Sequence, residues 1–377
     1  MKTRRLDLAL QGGGTHGAFT WGVLDRLLED ERIRIGAISG SSAGAMNAVA
    51  LAAGWTAGGR RGARETLHRF WSRVAESLHL ADWAQHWLSG MPGMMAPASA
   101  PLQAVWDMAG AWFSVSDRNP LRAVLRDTVD FDLVRRCTDL QLFIGATNVR
   151  SGRLRIFRGA QIDIDAVLAS SCLPMLFPAV VIDGEAYWDG GYMGNPSLRP
   201  LLADGGTLDL MLVQVHPNRR QAVPEHPAAI VERINEISFN GSLIKELRAL
   251  AILRKLMQDE GLAAADLREP LFRKAGALRV HRIEGGEQLD ALAASAPLGT
   301  AWHHLLALHR AGHAAADNWL DENYTHLGRH GTIDIVAEYL EDRGGEHVRR
   351  PARAPDSSSG ADRAGAEAGR PPETRWR

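Results

Sequence analysis

The sequence predicts an α/β fold: a three-layer sandwich in which a mainly parallel sheet is covered by helices on both faces, followed by a helical C-terminal extension. Two observations carry this prediction. Short apolar runs of strand character alternate with amphipathic helical segments, the pattern of strands joined through helical crossovers. The chain is also long enough to fill both faces of such a sheet, with 377 residues of which 45% are hydrophobic and 23% charged.

The elements follow in order. Residues 6–10 (Leu-Asp-Leu-Ala-Leu) form a short strand, a glycine loop follows, and residues 18–29 carry Val23, Leu24, Leu27 and Leu28 at helical spacing. The motif repeats with a strand at 33–38, a turn at 39–42 and a small-residue helix at 43–53. Further strands are expected at 140–146, 154–157, 179–182 and 208–215, with Asp183-Gly184 as a turn between two short strands. Past His216-Pro217 a helix is expected over 228–259, its apolar stripe made by Ile230, Ile234, Ile237, Leu247, Leu250, Leu253 and Leu256. An edge strand at 278–283 and a helix at 302–324 complete the order. Residues 349–377 contain no Leu, Ile, Val or Phe, and such a segment buries too little apolar surface to offset the entropy of ordering it. The expected organisation is a catalytic α/β domain over 5–216 with a cap-like insertion at about 70–120, a mostly helical extension over 217–345, and a disordered tail over 346–377.

Charge excludes some functions. Forty-three Lys and Arg against 44 Asp and Glu give a net charge of −1, so no global field holds the chain on nucleic acid or an anionic membrane. Two cysteines, Cys137 and Cys172, are too few for a disulfide framework. The basic start Met1-Lys2-Thr3-Arg4-Arg5 is not followed by an export-signal core, because Asp7 and then Gln11-Gly12 interrupt the apolar run. Residues 88–106 are uncharged but contain Gly90, Pro92, Gly93, Pro97 and Pro101, a poor spanning helix. A cytoplasmic protein, peripheral at a lipid surface, is the expectation. Nothing in the sequence fixes an oligomeric state.

Two loops carry chemistry. Gly12, Gly14 and Gly17 satisfy G-x-G-x-x-G between a strand and a helix, the dinucleotide-binding fingerprint. The second strand, however, ends in Ala37-Ile38-Ser39-Gly40, without the carboxylate that would hold a ribose, and no cofactor is expected. Consecutive glycines at a helix N-terminus also expose backbone N–H groups to an anion, including one formed only in a transition state. The second loop, Gly40-Ser41-Ser42-Ala43-Gly44, matches the nucleophile elbow G-x-S-x-G between a strand and a helix. It makes Ser42 the candidate nucleophile, with N–H groups of Gly12, Gly13, Gly14 and Ala43 as the candidate oxyanion hole.

A serine needs a base. None of the 14 histidines sits at an expected strand end with convincing company. Asp189, in Tyr187-Trp188-Asp189-Gly190-Gly191, is expected to leave the sheet edge where Gly190 and Gly191 free the backbone; an ordinary Asp-Gly-Gly turn is the competing reading. His303, His304, His309 and His313 share one helix, but Arg310 and Gly312 break the H-E-x-x-H zinc pattern. A solvated helix face is expected there, and no metal. Five tryptophans lie between residues 71 and 112 among Met91, Met94, Met95 and Met108. Core packing and a lipid-contacting cap both fit them, and residues 88–113 are the expected site of transient membrane contact.

The loop Gly12-Gly13-Gly14-x-x-Gly17, the elbow Gly40-x-Ser42-x-Gly44 and the turn Asp189-Gly190-Gly191, in this order, resemble the patatin-like phospholipases. The segment from Ala169 to Pro178 and the pair Asn195-Pro196 are similar to that family as well, and the resemblance covers about residues 5–216. It implies a hydrolase with a Ser–Asp dyad, Ser42 as nucleophile and Asp189 as base, acting without a metal on phospholipids, lysophospholipids or neutral lipids. Where the family usually carries Arg or Lys, this chain has His16. The competing functions are a non-catalytic lipid- or granule-binding protein on the same fold and, further off, a dinucleotide-binding protein.

Overall fold

The computed structural model describes residues 3–89, 119–174, 177–218, 220, 223–286, 289 and 301–340. The chain runs β1 (Arg4–Leu10), α1 (Gly17–Glu29), β2 (Ile33–Gly40), α2 (Ala43–Ser89), α3 (Pro120–Thr128), α4 (Phe131–Arg136), β3 (Gln141–Asn148), β4 (Leu154–Arg158) and α5 (Ile164–Ser170). It continues through β5 (Val180–Ile182), β6 (Glu185–Asp189), α6 (Arg199–Asp204), β7 (Asp209–Gln214), α7 (Pro227–Asp259), α8 (Pro270–Ala277), β8 (Arg279–Glu284), α9 (Ala301–Asn323) and α10 (Ile335–Tyr339).

The strands form one mixed, mostly parallel sheet in the order β5-β6-β3-β2-β1-β7-β8, with β4 also on β3. Neighbours from β3 through β8 are parallel, whereas β4 and β6 run antiparallel to β3. The pleat sorts side chains between two cores. Leu6, Leu8 and Leu10 of β1 and Met211 and Val213 of β7 pack with α1, α2, α5 and α9 on one face. Ala9, Leu210 and Leu212 pack with α6, α7, α8 and α10 on the other. This is the three-layer arrangement that the alternation of elements predicts, and β8 takes the expected edge position beside β7. At that edge Asp209 accepts from Arg279 Nε and Nη2, both at 2.8 Å, and from Gly328 N–H at 3.0 Å, while its Oδ1 lies 3.2 Å from His281 Nε2.

Three expectations change. Helix α2 does not stop near residue 53: it breaks at Gly58 and Gly59 and resumes, burying Phe70, Trp71, Val74 and Ala75. The first part of the expected cap is therefore core helix, and residues 90–118 lie outside the described residues, as do 341–377. The stripe of α7 is covered only in its middle, where Leu247 and Leu250 are buried, whereas Ile230, Ile234 and Ile237 before it and Leu256 after it are 39%, 55%, 56% and 56% exposed. Of the expected solvated face His303 is exposed and His313 half-exposed, but His309 is packed against α1. Close approach of α9 to α1, with Gly22 against the His309 carbonyl and Gly312 against that of Phe19, sets His309 Nε2 3.2 Å from Asp25 and His313 Nε2 3.0 Å from Glu29.

Candidate active site

The site begins where two strands meet end to end. Residues 141–144 of β3 pair with β2 on one edge, and residues 143–147 pair with β4 on the other. β6 pairs with residues 146–148, so it must take the edge that β2 has vacated. Because β2 is parallel and β6 antiparallel to β3, their C-terminal ends converge: Gly40 stands opposite Ile144 and Asp189 opposite Ala146. Two residues of strand span roughly 7 Å, and Ser42 lies just past Gly40. Asp189 thus sits inside the sheet and not at its edge, which corrects the sequence reading.

Ser42 occupies the left-handed region at φ 55, a conformation that costs a non-glycine residue about 1–3 kcal/mol and persists where its surroundings hold it. Its N–H lies 3.1 Å from the Ser170 carbonyl and 3.0 Å from Ser170 Oγ. The preceding strand is held by Ser39 Oγ donating to the Ser197 carbonyl at 2.6 Å and Ser41 Oγ donating to that of Gly194 at 2.5 Å. Ser39 and Ser41 are therefore structural, and Ser42 remains 8% exposed. The motif glycines are sites of close backbone approach. A Cβ on Gly40 would lie 2.7 Å from the Gly44 carbonyl and one on Gly17 2.6 Å from Ala43 Cβ, while one on Gly44 would overlap the Leu10 carbonyl. Gly190 abuts the Gly145 carbonyl in the same way, and Gly191 the Phe239 ring of α7.

Asp189 is fully buried. Its N–H donates to the Cys172 carbonyl at 2.8 Å and its carbonyl accepts from Thr147 Oγ1 at 2.8 Å. Oδ1 accepts the Gly191 N–H at 2.7 Å, whereas Oδ2 is buried without a completed hydrogen bond. Burial pushes the carboxyl up to about 7, with Gly191 N–H and the Ser42 hydroxyl only partly offsetting the rise. Two residues that the sequence places far apart are thereby within interaction range, one in a strained turn and the other in a dry pocket.

The glycine loop is stapled from several elements. Gln11 is buried; its Oε1 accepts the N–H groups of Val215 and His216 at 2.9 and 3.0 Å, and its Nε2 donates to Asn240 Oδ1 of α7 at 2.6 Å. A Cβ on Gly12 would lie 2.6 Å from Ser42 Cβ, which sets the loop directly against the elbow. The Gly12 N–H donates to Asn195 Oδ1 at 2.7 Å, so it is spent and unavailable to an oxyanion, contrary to the sequence reading. Gly13 faces His216, whose Nε2 would lie 2.9 Å from a Cβ there, and Gly14 adopts φ +56 with open space around it. Ala43 opens α2, where first-turn N–H groups have no partner within the helix.

His16 Nδ1 lies 3.2 Å from the Gly13 carbonyl, and its ring sits edge-on to His216 at 5.9 Å between centroids. Burial, and then the charge of His16, pull His216 down to about 4. Sequence reading missed Gln11, Ser170, Asn195 and His216 as site residues. Gln11 is marked in the sequence only by its place between a strand and a glycine run; Ser170 and Asn195 lie in segments that carry the family resemblance, but their contacts, like those of His216, depend on which strands become neighbours.

Among the described residues no three His, Cys, Asp or Glu side chains are grouped as a metal would require, and no helix is long and apolar enough to cross a membrane.

A three-layer sheet with an elbow serine, a glycine loop and a buried carboxyl at the strand ends defines an esterase-like α/β architecture. The sequence profile of the patatin-like phospholipases matches residues 8–202, and the chain belongs to that family. Its class of chemistry is accordingly lipid acyl hydrolysis. No curated protein matches the chain. Among solved structures, VipD from Legionella pneumophila is 15% identical, with 85% of this chain and 67% of that chain covered and a TM-score of 0.41. Full-length ExoU of Pseudomonas aeruginosa, solved in complex with SpcU, is 18% identical over 90% of this chain and 77% of that one, with a TM-score of 0.25.

Proposed function

We propose that this chain hydrolyses carboxylic esters of lipids through a Ser42–Asp189 dyad. Asp189 takes the Ser42 proton as Oγ attacks the acyl carbonyl, and the N–H groups of Gly13, Gly14 and Ala43 hold the resulting oxyanion. Collapse breaks the ester C–O bond, Asp189 returns the proton to the departing alcohol, and an acyl-Ser42 ester remains. Water then attacks that ester with Asp189 again as base, releasing the fatty acid and restoring the Ser42 hydroxyl.

The observation that supports this reading best is the buried Asp189 carboxyl, raised to about 7 within range of a serine held at φ 55. A carboxylate with its ordinary pKa near 3.9 is a poor base at neutral pH, and desolvation is what raises its proton affinity to a useful value. Residues 88–113 are the proposed contact with the lipid surface.

The test is hydrolysis of a phospholipid, lysophospholipid and triglyceride panel by wild type, Ser42→Ala and Asp189→Asn. Fatty acid release by the wild type alone is expected. Turnover by either variant at the wild-type rate overturns the dyad, and a wild type inert on every ester and towards fluorophosphonate labelling favours the non-catalytic binding protein.

A further inference from the structure

The carboxamide of Asn195 is fully buried and spends both its polar ends on one residue. Oδ1 accepts the Gly12 N–H at 2.7 Å, and Nδ2 donates to the Gly12 carbonyl at 3.3 Å. Gly12 offers one donor and one acceptor, so only this orientation of the amide satisfies both; the flipped amide would set donor against donor. The side chain therefore acts as a short strand partner for a residue that has run past the end of β1 and lost its ladder.

This pairing has a directional consequence. In a trans peptide the carbonyl and the following N–H point to opposite sides. With the Gly12 carbonyl turned onto Asn195, the Gly13 N–H is turned away from it. The next peptide is fixed likewise, because the Gly13 carbonyl accepts the His16 N–H at 3.1 Å, which turns the Gly14 N–H the other way. A glycine run has no side chains to set these directions for itself, and its backbone is the most permissive in the chain. Oxyanion donors act only if they are aimed before the charge forms.

Asn195 is itself well placed to aim them. Its N–H donates to Ser242 Oγ of α7 at 3.0 Å, and it belongs to the segment that leaves β6 with Asp189 at its start. One stretch of chain thus carries both the carboxyl and the clamp on the loop opposite.

We propose that Asn195 is a positioning residue that fixes the direction of the Gly13 N–H, and hence the strength of the oxyanion hole, without touching substrate. The proposal rests on the reading of this loop as the oxyanion site. It makes the contribution of Asn195 specific to the transition state, so Asn195→Ala lowers kcat on a soluble short-chain ester by about 10²-fold, the loss typical of one oxyanion donor, with KM within about threefold of wild type. A trifluoromethyl ketone, which adds Ser42 and forms a tetrahedral oxyanion, loses affinity by the same factor as kcat/KM, whereas the matching methyl ketone binds unchanged.

Asn195→Asp serves as the second variant, and carries the test alone if Asn195→Ala fails to fold. It keeps an acceptor for the Gly12 N–H and, while ionised, lacks the donor for the carbonyl. Its kcat is expected to fall similarly, and its ratio to wild type to climb as pH is lowered and the new carboxyl regains a proton to donate. A kcat within threefold of wild type in the folded variant, or a fall in kcat with trifluoromethyl ketone affinity intact, overturns the proposal. Ser42→Ala and Asp189→Asn run beside these variants separate the two claims: activity in them sinks the dyad, whereas their inactivity beside a fully active Asn195→Ala sinks only the clamp.

Discussion

Replacing Asp189 by Asn should abolish turnover and at the same time stabilise the protein, and the stabilisation should depend on pH. Burial raises this carboxyl from 3.8 to about 7, so between those values the native state holds a proton that the unfolded chain has lost. Stability falls with rising pH wherever the native state binds more protons. The contribution is therefore neutral below about pH 4, becomes increasingly unfavourable up to about pH 7, and is level above that. Three units at 1.36 kcal/mol each set a ceiling of about 4 kcal/mol on the cost of the ionised group. Asparagine carries no such cost, and its Oδ1 can still accept the Gly191 N–H. Allowing for relaxation around the charge, Asp189→Asn should gain about 2–4 kcal/mol at pH 8, equivalent to roughly 2–5 °C in Tm, since an unfolding entropy of about 2.1 cal/mol/K per residue gives about 1.3 °C per kcal/mol for 377 residues. Thermal unfolding of both proteins at pH 4, 5, 6, 7 and 8 measures it. A variant less stable than wild type throughout, or a gap that does not grow with pH, would refute the argument that desolvation sets the proton affinity of this residue.

Activity should follow the same group: kcat/KM of the wild type on a soluble ester is expected to rise with pH to a plateau above about pH 7, and a flat profile from pH 5 to 9 would exclude Asp189 as the base. Gly12→Ala should cut kcat by about 10²-fold, since its Cβ would stand 2.6 Å from Ser42 Cβ and 2.7 Å from the Ser41 carbonyl, and a displacement of reacting groups by about 1 Å has effects of that order; kcat within threefold of wild type would show that the loop yields. Asp209→Ala should destabilise by on the order of 3 kcal/mol by taking the carboxylate partner from Arg279 and from His281 Nε2. Although burial opposes it, hydrogen bonds from Arg279 and His281 hold the Asp209 carboxyl below its ordinary range, so the stability it contributes is present above about pH 4 and lost as pH falls; urea unfolding at pH 7 and pH 3 should show the variant gap shrinking. Replacing Met94, Met95 and Trp106 by Ser should lower activity on vesicles and spare a short soluble ester, and equal loss on both would remove residues 88–113 from lipid contact.

The local geometry of both chemical loops was legible in the sequence because it is local. A strand, a Gly-x-Ser-x-Gly turn and a helix place Ser42 within a few residues of chain, and the glycine at 40 follows from how closely that turn folds on itself, whereas the glycine at 44 answers to the Leu10 carbonyl of the neighbouring strand. Helix α7 marks the limit of such reading. Its periodicity defines an apolar stripe, yet Leu247 and Leu250 are buried while Ile230, Ile234 and Ile237 stand exposed, because spacing names a face and not the neighbour that covers it.

The rest of the site required the sheet. Asp189 meets Ser42 because β6 takes the edge of β3 that β2 leaves free, and nothing in Asp-Gly-Gly specifies that register. Which glycine N–H groups remain available is settled by Asn195, 183 residues from Gly12, and the loop is anchored through Gln11 to residues beside β7, 204 and 205 positions away. Even the chemical character of Asp189 belongs to the fold: the residue type supplies a weak acid, and only the exclusion of water around it at the junction of two strands makes it hold a proton near neutral pH.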